Sequence, residues 1–344
     1  MRALGFMAVF AALAGTPEAT ARRPLAHFYY VDDAAAWQSL ERNWRYVELL
    51  SPVWVFVDSG GEVRLAVDPK VRQLAVDKNI ALMPVVMNAD FKPEIARAAL
   101  ATPESISALA AKLAATAADN RFQGLQLDLE NLEASDRDGY SRLAETLAPL
   151  LHKRGMKLSV AVAAPVYSTG PVDEPAREYL PAPRAAAFDY ARLGAAADFL
   201  TLMSYDQYAT ADAPGPIAGV EWMEQCVRRV FEAVPAEKLT LGLALYHRRW
   251  NAGKVTTGSW AEAQAEANKA NVASKLHDVH KEPVLRMRTD GGETVIWFQD
   301  SESLRLRTEL VAKYRLRGYS VWRMGQEDPS VWPRVFAPKC GVCP

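Results

Sequence analysis

Residues 122–131 read FQGLQLDLEN. Leu125, Leu127 and Leu129 alternate with Gly124, Gln126, Asp128 and Glu130. Successive side chains of a strand point to opposite faces, so this period of two reads as a strand. One face is leucine throughout and belongs against apolar helices. The other face turns an amide and two carboxylates inward. The Cα atoms of Asp128 and Glu130 are expected roughly 6–7 Å apart on that face. Burying two acids is costly unless they share a proton or find partners. A fold accepts that cost mainly at a working site. Two close carboxyls also drive one pKa upward, which keeps a glutamic acid protonated enough to act as a proton donor. The alternative at this point is a strand end where the two acids meet solvent or a salt bridge.

Seven further apolar runs flank this one: Ala26 to Val31, Val47 to Val57, Ile80 to Met87, Lys157 to Ala163, Phe199 to Tyr205, Leu239 to Tyr246 and Tyr319 to Trp322. Strands buried on both faces read as near-continuous hydrophobic runs. Helical patterns lie between them. Pro103 to Ala118 has Thr102 as N-cap and Glu104 in its first turn, and Asp138 to Arg154 ends at Gly155. Glu221 to Val234 and Ser301 to Leu316 are similar. Strand and helix alternating eight times predict an α/β fold, a (β/α)8 TIM barrel, for which ~250 residues plus insertions suffice. One stretch, about 250–300, breaks the rhythm. It holds a helical run, Trp260 to Ala273, and two strand-like pieces, Val284 to Met287 and Thr294 to Phe298, around a turn at Asp290-Gly291-Gly292. It is expected to be a small α+β insertion between strands 7 and 8 and to form one wall of a cleft. Pro165 to Pro183 is expected to be a long loop on the face where barrels build their sites.

The 344 residues carry a net charge of −1, half are hydrophobic, and acids and bases are interspersed. No basic patch points to a nucleic-acid partner. Arg2 followed by the apolar run Ala3 to Ala14 and by Ala19-Thr20-Ala21 reads as a signal peptide over 1–21, too short to span a bilayer. A misassigned start or a frayed terminus is the alternative. Residues 22–336 would then be the barrel, 337–344 a tail, and the protein secreted or periplasmic. No other segment is apolar enough for a membrane span. Cys226 fits a buried helix position, and Cys340 and Cys343 fit a tail disulfide or a tail without function, since two cysteines alone cannot complete a tetrahedral zinc site.

The segment Gln123 to Glu130 resembles the fourth-strand motif DGxDxDxE of glycoside hydrolase family 18, the chitinase-like group. Gly124, Asp128 and Glu130 match, while Gln123 and Gln126 replace the first two aspartates. Asp128-Leu129-Glu130-Asn131 is similar to the DFEN ending of the branch with spore-cortex peptidoglycan hydrolases. Met203-Ser204-Tyr205-Asp206 resembles the sixth-strand MxYD. Gly215 to Ala218 with Trp222 resembles a stretch of the same branch. Gly242 to Tyr246 resembles the seventh-strand GxPxYG, with Ala244 for its proline and His247 for its last glycine. Trp322, Gly325 and Glu327-Asp328-Pro329 resemble the eighth strand. The resemblance runs from about His27 to Trp332. It implies hydrolysis in which the substrate's own acetamido group is the nucleophile, an exception to the two-carboxylate scheme. Glu130 would protonate the glycosidic oxygen and then activate water. Asp128 would orient the acetamido group, Tyr205 would hydrogen-bond its oxygen, Asp206 would order the site, and Trp322 would stack under the sugar. Gln126 is expected to donate a hydrogen bond to Asp128 and leave it ionised.

Sugar clefts use aromatic rings, and Tyr246, Trp250 and Trp297 are assigned to the substrate site beside Gln126, Asp206 and Trp322. No cofactor or metal is implied. His277 and His280 share i, i+3 spacing and read as a solvated pair before a metal site. Asp32-Asp33 reads as a helix N-cap or a sugar contact. The expected partner is an N-acetylglucosamine-containing polysaccharide (peptidoglycan, poly-N-acetylglucosamine or chitin-like), and the expected state is a monomer. The rivals are a non-catalytic glycan-binding protein on the same fold, against which the retained Glu130 argues, and an unrelated barrel enzyme, favoured only if Asp128 and Glu130 point outward.

Overall fold

A computed structural model describes residues 23–339 except Asp212, Asp290 and Gly291. The segment 1–21 and the pair Cys340 and Cys343 lie outside the described residues. Eight parallel strands close into a barrel: β1 (Leu25–Tyr30), β2 (Leu49–Val57), β3 (Val85–Asn88), β4 (Gly124–Leu127), β5 (Lys157–Ala163), β6 (Phe199–Met203), β7 (Leu239–Ala244) and β8 (Gly318–Trp322). Each pairs with its sequence neighbours, and β1 closes the ring by pairing with both β2 and β8. These are the eight apolar runs. The barrel is tight enough to require glycine at strand starts: a Cβ on Gly124 would stand 2.1 Å from the Lys157 carbonyl oxygen, and one on Gly318 2.2 Å from that of Leu25.

Helices fill the crossovers. Pro103–Asp119 starts with Thr102 accepting from the Ser105 N–H, and Ser301–Lys313 starts with Asp300 accepting from the Ser303 N–H. Leu125, Leu127 and Leu129 are buried in the main core with Leu109, Leu113 and Leu147 of the surrounding helices. The opposite, inward faces make a polar floor. His27 bonds Ser320 Oγ at 2.7 Å and Ser51 Oγ at 2.8 Å, and Thr240 Oγ1 lies 2.8 Å from Ser320 Oγ. Burial lowers the His27 pKa to about 3, so this floor carries no charge.

The excursion after β7 begins at Tyr246, earlier than the sequence suggested. Tyr246–Asn251 and Lys254–Ser259 form a hairpin that joins Gly292–Phe298, Pro283–Thr289 and Lys275–Leu276 in a five-stranded antiparallel sheet. Helix Trp260–Ala270 packs Ala263 and Ala267 against Leu285, Ile296 and Phe298 of that sheet, a small core of its own. The chain then enters helix Ser301–Lys313, which leads down to β8. A fully buried ion pair fastens the excursion to the barrel. Arg307 Nη2 meets Glu282 Oε2 at 3.1 Å, Glu282 accepts from the N–H groups of Ile217 and Ala218, and Arg307 donates to the carbonyls of Ala218, Lys281 and Ser303. Removing one partner of a buried pair strands the other charge, at a cost of about 3–5 kcal/mol. Arg307→Ala should lower stability by that amount in denaturant unfolding. A loss under about 1 kcal/mol would show that the pair does not anchor the excursion.

Candidate active site

Asp128 and Glu130 stand at the upper end of β4, just past its last ladder residue. Asp128 is buried, and its N–H bonds the Val86 carbonyl at 2.9 Å. Glu130 is half-buried. Both line a cavity of about 860 Å³ over the C-terminal ends of the strands, with Tyr205, Asp206, Tyr246, Arg248 and Trp322. The carboxylates therefore face inward, which sets aside the solvent-facing strand end.

Burial pushes Asp128 well above the ordinary carboxylate range, and the charge of Glu130 adds to the rise. Glu130 is raised too, first by burial; Arg184 opposes the rise and Asp206 reinforces it. Here the structure corrects the expected environment of Asp128. Gln126 does not reach it. The Gln126 amide donates to the Tyr29 hydroxyl at 2.9 Å and accepts from Ser159 Oγ, within the barrel floor rather than in the cavity. With no amide bond to favour the charged form, Asp128 is pushed toward the neutral acid rather than held ionised.

Tyr205 follows β6 and stands edge-on to Tyr246, ring centroids 6.4 Å apart. Burial raises its pKa well above the ordinary phenol value, so it presents a neutral O–H donor. Asp206 takes φ +62°, a conformation that Asp tolerates because its short polar side chain can bond locally. Its carboxylate accepts from the Tyr246 hydroxyl and from Arg248, at 3.0 Å from Nε and 2.5 Å from Nη2. Trp322, half-buried, meets Tyr29 with centroids 5.4 Å apart and leaves part of its surface to the cavity. The Trp322–Arg323 peptide is cis. Arg323 donates to Asp33, which also caps helix Ala34–Asn43.

Trp250 and Trp297 do not line the cavity. Trp250 is buried with its indole N–H on the Thr210 carbonyl at 2.8 Å. Trp297 is wholly buried against His277 and His280. Both are residues of the excursion that pack into the main core, and the excursion's wall of the cavity is made instead by Tyr246, Arg248 and Thr257. The two histidines are not a solvated pair either. They stack on each other, with His280 bonded to the Val172 carbonyl and His277 to Asp173. Among the described residues no group of three metal-ligating side chains converges.

Arg248, Arg184, Asn88 and Tyr29 were missed. For Arg248 a signal existed: it follows Tyr246 by two residues, so on a strand the two share a face. The loop 165–183 contains a short hairpin, Val166–Thr169 with Glu178–Pro181, and Trp222 donates to the Val166 carbonyl at 2.8 Å. Tyr167 of that hairpin and Arg184 beyond it reach the cavity.

Residues 70–327 match the sequence profile of Glycosyl hydrolases family 18. The chain belongs to this family. Relatives match along most of its length. The uncharacterized glycosylase YvbX of Bacillus subtilis is 22% identical over 316 residues, 89% of each chain. The cortical fragment-lytic enzyme of the same organism is 24% identical over 272 residues, 76% of this chain but 61% of that relative's length. A crystal structure of a chitinase from Chromobacterium violaceum superposes with a TM-score of 0.81 at 28% identity, covering 91% of this chain and 98% of that one. Of the segments that resemble the family in sequence, Asp128 and Glu130 after β4, Tyr205 and Asp206 after β6, Tyr246 after β7 and Trp322 at the end of β8 line one cavity. The chain is thus a glycosidase by family, with a polysaccharide as the implied substrate class.

Proposed function

We propose that this chain is an exported hydrolase of β-linked N-acetylglucosamine polymers, peptidoglycan or a related poly-N-acetylglucosamine before crystalline chitin, and that it works by substrate-assisted, retaining catalysis. One observation carries the reading: two inward carboxyls with raised pKa values, Asp128 and Glu130, share a cavity with the neutral phenol of Tyr205 and the indole of Trp322. The cortical fragment-lytic relative favours peptidoglycan among the candidate glycans. Among the described residues no helix is long and apolar enough to cross a membrane.

In the proposed cycle the sugar rests on Trp322. Glu130, whose protonated form burial favours, gives its proton to the glycosidic oxygen as that bond breaks. The acetamido oxygen attacks the anomeric carbon and closes a cyclic oxazolinium ion. An oxygen of the Asp128 carboxyl accepts a hydrogen bond from the acetamido N–H and orients the group, while the negative charge left by the proton transfer rests on Glu130 and balances the oxazolinium. Tyr205 donates to the acetamido oxygen and orients it. The glycan leaving group departs, and water opens the ring while Glu130, now a carboxylate, takes its proton. Asp206, held by Tyr246 and Arg248, keeps the rim of the site in place.

The test is incubation with purified peptidoglycan, poly-N-acetylglucosamine and chitin oligomers, reading reducing ends and product masses. Release of N-acetylglucosamine-terminated fragments is expected, and inertness toward all three would overturn the proposal. A pH dependence follows as well. The first step needs protonated Glu130, so kcat/KM should fall as pH rises through its raised pKa. Arg184 holds that pKa down, so Arg184→Gln should move this basic limb to higher pH. An unchanged limb, or one moved to lower pH, would contradict the assignment of Glu130 as the acid.

A further inference from the structure

Strand β4 ends its ladder with β3 before it reaches the site. The N–H of Gln126 bonds the Pro84 carbonyl at 3.0 Å and that of Asp128 bonds the Val86 carbonyl at 2.9 Å. The next rung of a parallel ladder would carry the Glu130 N–H to the carbonyl of residue 88. The main chain of β3 is no longer available there, because it turns away through Ala89, Asp90 and Phe91, the last two in the left-handed region at φ +54° and +57°. The rung is made nonetheless, by the Asn88 side chain. Its Oδ1 accepts from the Glu130 N–H at 2.8 Å, and its Nδ2 donates to the Glu130 carbonyl at 3.2 Å and to the Lys92 carbonyl at 2.8 Å. Asn88 is wholly buried. On the far side of the turn, Asn131 Nδ2 donates to the Phe91 carbonyl at 2.9 Å.

We propose that Asn88 is a positioning residue for the proton donor: its side-chain amide prolongs the sheet by one rung and holds the Glu130 backbone in strand-like register after the strand itself has ended. An amide suits this role because it offers a donor and an acceptor in one plane, as a peptide does. Alanine offers neither. A carboxylate offers the acceptor alone. The left-handed turn lets β3 leave the sheet while its last side chain remains in it, and strained backbone of this kind persists where the surroundings over-determine it. Asn131 ties the turn back to the residue after Glu130, so the acid is bracketed by two amides anchored to the same turn.

The inference rests on the proposal that Glu130 is the general acid, and its test separates the two. Proton donation matters most for a poor leaving group such as a sugar hydroxyl and little for a 2,4-dinitrophenolate. Asn88→Ala should lower kcat/KM on an N-acetylglucosamine oligomer by about 10- to 100-fold, the range a displacement of about 1 Å can cause. On the 2,4-dinitrophenyl glycoside of the N-acetylglucosamine disaccharide the loss in kcat/KM should stay within about threefold, because kcat/KM reads the steps up to departure of the leaving group, before Glu130 acts as base toward water. Glu130→Gln is the control and should show the same split, more strongly. Equal loss on the two substrates, or no loss on the oligomer, would overturn the role of Asn88. If Glu130→Gln itself shows no split, the assignment of the acid has failed instead. Should Asn88→Ala not fold, Asn88→Asp keeps the volume, removes the donor at neutral pH, and is read by the same ratio.

Discussion

Glu130→Gln should reduce kcat on N-acetylglucosamine oligomers by at least about 10²–10⁴-fold, the usual contribution of general acid–base catalysis, and leave the fold intact. The substitution is nearly isosteric. It keeps the backbone bond from Glu130 to Asn88, which does not involve the side chain. It also removes a carboxyl whose raised pKa marks its charged form as disfavoured where it sits. The thermal midpoint should therefore stay level or rise while turnover collapses. KM should move little, because the amide still fills the cavity and ground-state contacts persist. Steady-state kinetics beside a thermal melt decides the matter, and near-normal turnover would sink the assignment.

A substrate deacetylated at the cleaved sugar should be almost inert. On the proposed mechanism the protein supplies no nucleophile. Asp128 and Tyr205 only hold the acetamido group in line with the anomeric carbon. Well-placed intramolecular groups reach effective molarities of about 10⁵–10⁸ M, so deleting the nucleophile should cost well over about 10³-fold in kcat/KM. A thiazoline mimic of the cyclic intermediate should compete with substrate and bind more tightly than it, as mimics of high-energy species do. Equal cleavage of acetylated and deacetylated substrate would mean that a protein group or a water molecule attacks directly.

The barrel and the heart of the site were legible because both rest on local periodicity. Leu125, Leu127 and Leu129 against Gln126, Asp128 and Glu130 is a two-residue alternation, and each of the eight apolar runs is a strand buried on both faces. What was not legible depends on neighbours distant in sequence. Gln126 shares its face with Asp128, yet its partners come from β1 and β5, 97 and 33 residues away, and they pull it into the floor. Trp250 and Trp297 have the rings a sugar cleft would use, but whether a tryptophan faces a cleft or a core is set by the sheet it joins, and theirs buries both. The hairpin of Tyr246–Asn251 with Lys254–Ser259 escaped notice because Arg248, Arg249, Thr256 and Thr257 give it no apolar run. Asn88 gave no sign at all, since its role exists only because the main chain of β3 turns aside at Ala89 and leaves a rung unfilled.

On the proposed mechanism the acetamido oxygen of the substrate, oriented by Asp128 and Tyr205 and assisted by Glu130, displaces the leaving group. Attack by that oxygen inverts the anomeric carbon, and attack by water inverts it again. Anomer-resolved NMR of the first product released from an N-acetylglucosamine oligomer, recorded before mutarotation, reads this directly. The β-anomer is expected, with configuration retained. Release of the α-anomer first would contradict that mechanism.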